Sequence, residues 1–405
     1  MRLAPAEADT LLTPFLTLVF AGMLARLGYQ MARSPVLPRF AQDLGAGPEL
    51  AGLIIGASTI TGVIFKLPAG ALSDLLGRRR MMLLGCAFFA GPPFLYPLVG
   101  DPLALLLLRF VHGLATAIFS PVAAAAVAAL AERGRGEKLG WFASASDAGG
   151  TVGPLLGGLV LFWTASYPAT YLLVGLLGLP PLFLVLRLPP DPPASPRAPG
   201  GPSRWAQFRD GILEVASSPA VLIASGLEAA MYVGYGAFLG YFPLYASQIG
   251  INDALIGLII GVQLATTMLA KPLSGRLSDR IGRKPMILVG LVLVAGSLPV
   301  IPQIRAPLLL ALLSAVLGLG VAIVTPSTTA LVADLVRAGR MGSAMGVFGT
   351  IWDSGEAAGP VLAGILVARA GYGVAFGAIA AGLGLVALLF AMAVPDPQRA
   401  AIRSA

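Results

Sequence analysis

The chain has 405 residues, 57% of them hydrophobic and only 11% charged, with a net charge of +8. Soluble globular chains carry about 25% charged residues, so the composition excludes disorder and argues against an ordinary soluble enzyme. One cysteine, Cys86, and one histidine, His112, exclude an internal disulfide, a thiolate metal cage and the usual zinc clusters, so neither metal nor cofactor is expected.

A bilayer-spanning helix needs about 20 mostly apolar residues. Twelve such runs are predicted, at 11–37, 50–72, 80–99, 102–130, 138–162 and 167–188, then at 218–246, 253–274, 284–302, 306–334, 342–368 and 371–394. None alternates polar and apolar residues as a barrel strand would. The first is too long for a signal-peptide core and ends in no clear small-residue cleavage site, so it is read as a retained span.

Lys and Arg in short loops set the orientation. With twelve spans, both termini share one face with Arg2, Arg78, Arg79, Arg80, Arg133, Arg135, Lys138, Arg187, Arg197, Arg204 and Arg209. The second half adds Arg276, Arg280, Arg283, Lys284, Arg337, Arg340, Arg399 and Arg403 to that face. The opposite loops hold Arg39, Arg305 and Arg369 beside Asp43, Glu49, Asp101 and Asp253. Both termini are therefore expected in the cytoplasm, and the chain in the cell (inner) membrane. The positive charge is a topology signal, and no nucleic-acid partner is expected.

Residues 189–217 join two halves, a six-helix bundle over 1–188 and another over 218–405. The stretch PPDPPASPRAPGGPS is too rich in proline for a helix and reads as a linker. After it, Trp205, Phe208, Ile212 and Val215 fall on one helical face, with Arg204, Arg209, Asp210 and Glu214 opposite. That pattern suits a short helix lying on the membrane surface; a loop with scattered apolar residues fits nearly as well.

Shifted by 205 residues, the chain aligns with itself: GLIIG at 52–56 recurs at 257–261, and KLPAGALSDLLGRRRMMLLG from Lys66 recurs as KPLSGRLSDRIGRKPMILVG from Lys271. Ser120-Pro121 meets Thr325-Pro326, and with a shift of 206 the set Gly136, Gly140, Asp147, Gly149, Gly153, Pro154 meets Gly342, Gly346, Asp353, Gly355, Gly359, Pro360. The expected architecture is all-α, two pseudo-symmetric six-helix bundles with a substrate site near the midplane between them.

GALSDLLGRR at 70–79 and its second copy at 275–284 resemble the signature loop of the major facilitator superfamily. Gly70, Asp74, Gly77, Arg78 and Arg79 match it, as do Gly275, Asp279, Gly282, Arg283 and Lys284; Leu75 departs from the family's basic residue, which Arg280 restores. The resemblance implies a cytoplasmic gate that stabilises the outward-facing state. Physically, Gly70 would let a neighbouring helix approach, Asp74 would face a helix N-terminus of the other half, Gly77 would permit a tight turn and the basic pair would latch the cytoplasmic side. A topology determinant alone is the plainer alternative.

LLLRFVHGLATA at 106–117 also resembles a family motif, with Arg109 and Gly113 at its marked positions and His112 where glutamine is usual. Arg109, His112, Gly113 and Thr116 share one helical face. The family implies that Arg109 influences a nearby proton-carrying group, while a structural ion pair, and a packing role for His112, stand as the simpler readings. GGTVGPLLGG at 149–158 matches, at Gly149, Gly153, Pro154, Gly157 and Gly158, the motif that marks drug–proton antiporters in this superfamily. Its glycines at four-residue spacing suit close helix contact, and Pro154 should bend the span. Leu27-Gly28 followed by Pro35-Val36-Leu37-Pro38 resembles the antiporter group more loosely.

Arg26, Arg109, Asp147, Glu228, Asp353 and Glu356 fall within spans, where a charge costs a few kcal/mol or more unless paired or wet. Asp147 precedes Gly149 by two residues, about 200° around the helix, so it should face away from the glycine strip, towards a cavity; Asp353 stands likewise to Gly355 and Gly359. Glu356 follows Asp353 by three residues, and two carboxylates so placed would titrate as a pair. Asp147, Glu228, Asp353 and Glu356 are the candidates for proton coupling, with Arg26 and Arg109 tuning them or meeting an anionic group. Tyr29, Tyr232, Tyr235 and Trp352 are candidate pocket linings, or simply packing. The expected function is export of lipophilic or drug-like molecules by proton antiport, from a monomer; the rival is a sugar, metabolite or organic-anion transporter. No ATP-binding Gly-x-x-x-x-Gly-Lys-Ser/Thr loop and no catalytic His–carboxylate cluster is visible, so an enzyme is not expected.

Overall fold

A computed structural model describes residues 5–130, 135–190, 218–335 and 341–393. The surface helix anticipated over 205–215 lies outside the described residues, as do Arg2, Arg133, Arg197, Arg204, Arg209, Arg337, Arg340, Arg399 and Arg403, and the Asp74 side chain.

Every described element is helical. Helices α1 (Pro5–Arg33), α2 (Val36–Asp43), α3 (Pro48–Leu76), α4 (Arg78–Ala90), α5 (Pro102–Ala129), α6 (Arg135–Thr164) and α7 (Tyr167–Leu186) form the first half. They are followed by α8 (Pro219–Gln248), α9 (Asp253–Ile281), α10 (Arg283–Ser297), α11 (Pro307–Leu335) and α12 (Met341–Ala393). Short 3₁₀ turns, Pro92–Leu98 and Leu298–Gln303, extend α4 and α10.

Local sequence sets the boundaries. Asp101 caps α5 by accepting from the Leu103 and Ala104 amides at 2.9 and 3.0 Å, and Pro102 occupies the first position, where no amide is needed. Asn252 caps α9 in the same way through the Leu255 amide, 2.9 Å away. The α3–α4 and α9–α10 joints turn at Gly77 (φ 96°) and Gly282 (φ 107°), a backbone region that residues with a Cβ avoid. The succession helix, glycine joint, helix, 3₁₀ turn, helix thus occurs twice, as the internal repeat requires.

Ten segments among the described residues are long and apolar enough to cross a membrane, and the last of them, Ala344–Met392, has 49 residues and breaks at Gly371 (φ 76°). Helix α6 is not among the ten; its glycines, serines and charged residues lower its hydropathy. Large apolar side chains such as Leu107, Leu269, Leu308 and Met392 are exposed, which suits a lipid solvent.

The chain divides into two compact units, Met1–Gly45 with Ala57–Gly201, and Ala46–Gly56 with Pro202–Ala405. The opening turns of α3 thus group with the second unit. Tyr241 of α8 donates to the Pro48 carbonyl, and a methyl at Gly56 would stand 3.0 Å from the Ala357 carbonyl oxygen, so glycine admits the contact. The first core gathers Leu18, Tyr29, Met82, Phe89, Phe119 and Val122; the second gathers Phe238, Phe242, Ile260, Leu291, Leu317 and Phe376.

Candidate functional site

In the first unit, Arg109, His112 and Gly113 of α5 are buried and Thr116, on the same face, is half-buried. Gly113 lets α5 lie close to α3, since a methyl there would stand 2.7 Å from the Ser58 Cα. Arg109 and His112 are both 0% exposed. The Arg109 guanidinium carbon sits 4.8 Å from the centre of the Tyr29 ring, a cation–π arrangement, and Arg109 Nη1 lies 3.5 Å from His112 Nδ1. The Tyr96 hydroxyl is 3.1 Å from the same nitrogen. Tyr96 stacks on Tyr171 with ring centres 3.9 Å apart, and Tyr171 donates to the Ala32 carbonyl. No described carboxylate lies within ion-pair distance of Arg109, and its Nε and Nη2, like His112 Nε2, have no hydrogen-bond partner.

The glycine strip of α6 packs on the backbone of α1. Gly149, Gly153 and Gly157 face the carbonyls of Met23, Leu27 and Met31 in turn; methyls at the last two would stand 2.7 and 2.6 Å from those oxygens. Gly158 is also buried, and α6 continues as one helix through Pro154. Arg26 runs beside Gly150, one turn from Asp147 on the same face of α6, and Asp147 is half-buried.

The second unit gathers the acids. Glu228 of α8 is 0% exposed; Thr328 of α11 donates to its Oε2 at 2.5 Å, while Oε1 and the neighbouring Thr325 hydroxyl have no hydrogen-bond partner. Lys271 acts on Glu228 electrostatically. Tyr232, one turn along α8, feels both Glu228 and Glu356 and lies 5.0 Å from Trp352 and 5.4 Å from Tyr235, ring centre to ring centre. Gly355 and Gly359 of α12 face the Ala229 and Val233 carbonyls of α8. Asp353 is buried and Glu356 half-buried.

The following contacts of the loop motifs lie within their own units. Arg79 donates to the Leu186 carbonyl at 2.6 Å, and Lys284, its repeat partner, donates to Ala391 at 2.7 Å; each basic residue caps carbonyls at the end of its unit's last helix. Arg283 binds Asp279 at 2.5 Å and Asp334 at 3.3 Å. Arg78 is half-buried at the start of α4. The close helix approach expected at Gly70 is not made: nothing described lies within 4 Å of a methyl placed there, and at Gly275 only Pro326 comes near, at 3.8 Å. The hydroxyls of Thr325 and Thr328 escaped the sequence reading. Thr325-Pro326 stood out in the repeat, but no spacing ties either threonine to Glu228.

The Major Facilitator Superfamily model matches residues 18–254 and 224–405. An uncharacterized MFS-type transporter of Methanocaldococcus jannaschii is 26% identical over 359 residues, 88% of this chain and 89% of that protein. The quinolone resistance protein NorA of Staphylococcus aureus is 25% identical over 170 residues, only 42% of this chain and 43% of NorA. Among solved structures, a bacterial homologue of the human lysosomal transporter Spinster, inward-facing and unoccupied, superposes with a TM-score of 0.75 at 15% identity, covering 96% of this chain and 97% of that one. The nucleoside transporter NupG gives 0.73 at 16% identity, covering 93% and 99%. At such identities the likeness concerns the fold.

Proposed function

The chain belongs to the major facilitator superfamily, and from that membership we propose that it is a twelve-crossing secondary transporter exporting small lipophilic or drug-like molecules in exchange for protons. The 49 residues of Ala344–Met392 amount to about 70 Å of helix, more than twice a bilayer's apolar thickness of about 30 Å. Broken at Gly371, they cross twice, and with α6 the crossings number twelve. The Arg and Lys distribution then keeps both termini cytoplasmic, in the cell membrane, with a monomer as the working unit.

The observation that carries proton coupling is Glu228, a carboxyl with no exposure, one threonine donor and one free oxygen. A carboxyl sealed from water is carried protonated and releases its proton where water reaches it; alternating access supplies that alternation. Asp353 and Glu356, one turn apart on α12, would share the load, and Asp147 with Arg26 would sense it in the first unit. The antiporter-type motif Gly149, Gly153, Pro154, Gly157 and Gly158 and the partial likeness to NorA support export. In everted vesicles carrying the chain, a lipophilic cation should release protons on addition; no proton movement with any transported compound rejects antiport.

A second reading is export of organic anions on the same scaffold. Arg109, buried with no carboxylate partner among the described residues, favours it.

A further inference from the structure

The buried groups around α5 hold an imbalance that the fold itself does not resolve. Their three orphan nitrogens, Arg109 Nε, Arg109 Nη2 and His112 Nε2, are all buried. An arginine nitrogen can only donate, and His112 Nδ1, 3.5 Å from Arg109 Nη1 and 3.1 Å from the Tyr96 hydroxyl, accepts in one of the two neutral ring tautomers. In that tautomer the ring proton sits on Nε2, and all three orphans are donors. Around Arg109 stand Tyr29, Tyr96 and Tyr171, neutral side chains, and the like charge of Arg33. The missing partner is thus an acceptor that also brings negative charge. Nε and Nη2 share one edge of the guanidinium, the edge that grips two oxygens side by side.

We propose that Arg109 and His112 form a binding site for a carboxylate carried on an aromatic or similarly flat apolar body. Arg109 Nε and Nη2 hold its two oxygens and His112 Nε2 supplies a third hydrogen bond once the rings of Tyr29, Phe89, Tyr96 and Tyr171, which here pack on one another and leave no room beside those nitrogens, move apart. The site deepens the organic-anion reading and rests on it for its place in transport. Binding, rather than flux, is the measurement, so failure here leaves proton-coupled export standing, and failure of export leaves the site testable.

The test is calorimetric titration of the full chain in lipid nanodiscs with sodium benzoate, benzyl alcohol and sodium chloride. Benzoate should bind saturably and the uncharged alcohol should not. Arg109→Met should weaken benzoate about ten-fold or more, the value of a lost charge-assisted pair. His112→Phe should weaken it several-fold, and His112→Gln, which keeps an N–H donor, should recover most of that loss. Absence of saturable benzoate binding, equal binding of the alcohol, or chloride binding as tightly as benzoate overturns the proposal. So does unchanged benzoate affinity in Arg109→Met. If Arg109→Met does not fold, the two His112 variants decide the matter, equal affinity in both being the negative result.

Discussion

Glu228 must find its donors inside the protein, because none of its surface meets solvent. It finds one in Thr328, whose single hydroxyl proton has the Val324 carbonyl of its own helix as a second acceptor within reach. Thr328→Val keeps the shape and removes the donor, leaving a buried acceptor unsatisfied at a cost of about 1–3 kcal/mol. The thermal midpoint in detergent should fall accordingly, and Thr328→Ser should restore most of it; an unchanged midpoint in the valine variant would mean that the contact carries no energy. Glu228→Gln retains an acceptor for Thr328 and should fold normally, yet abolish uphill transport while sparing exchange, as measured in proteoliposomes with and without an imposed proton gradient. Arg109 is the opposite case, a cation held against an aromatic face with no counter-ion among the described residues. A charge buried without a partner carries a desolvation penalty of several kcal/mol, which an apolar side chain of similar length does not. Arg109→Met should therefore raise the unfolding midpoint in the absence of ligand. A fall would mean that Arg109 is a structural strut.

At the scale of helices, α6 offers a matched comparison. A methyl at Gly153 would press on the Leu27 carbonyl, the Gln30 Cβ and the Met31 amide nitrogen at 2.7–2.8 Å, and two of these three are backbone atoms that cannot turn aside. Gly153→Ala should cost about 1–3 kcal/mol, as overpacking does. Gly140→Ala on the same helix meets nothing within 4 Å and should be neutral or gain up to about 1 kcal/mol from helix propensity. Thermal unfolding of the two variants side by side measures the seam. This strip was legible in the sequence because a period of four is written along one strand of chain. The turns at Gly77 and Gly282 were legible for the same reason, each being settled by its own φ. The pairings that sequence reading missed lie far apart along the chain: Arg79 with Leu186 and Lys284 with Ala391 are each separated by 107 positions, and Glu228 with Thr328 by 100. Gly70 failed for a related reason, since a small residue announces room for a neighbour without saying that one comes.

Across the whole molecule, the two halves keep their backbone seams and exchange their charges. Met23 and Ala229 face Gly149 and Gly355, and Leu27 and Val233 face Gly153 and Gly359, so α1 and α8 correspond through an offset of 206. By that offset Glu228 stands where the first half has Gly22, and Tyr232 where it has Arg26. In α5 and α11 the offset is 205, and Arg109 corresponds to Ser314. Duplication thus fixed the scaffold, and later divergence left an acid-bearing second unit and a first unit whose α5 carries a lone cation. With the twelve crossings proposed above, the repeat predicts that corresponding loops face the same side of the membrane. Cys86 is buried and is the sole cysteine, so a Cys86→Ala background allows each loop to be tested singly. Gly100 and Arg305 are exposed on loops poor in cations, Arg80 and Arg280 at helix ends beside the cation-rich joints at Gly77 and Gly282. In intact cells a membrane-impermeant maleimide should label Gly100→Cys and Arg305→Cys but reach Arg80→Cys and Arg280→Cys only after permeabilisation. If Gly100→Cys and Arg305→Cys labelled from opposite sides, the second unit would be inverted, and neither twelve crossings nor two cytoplasmic termini could stand.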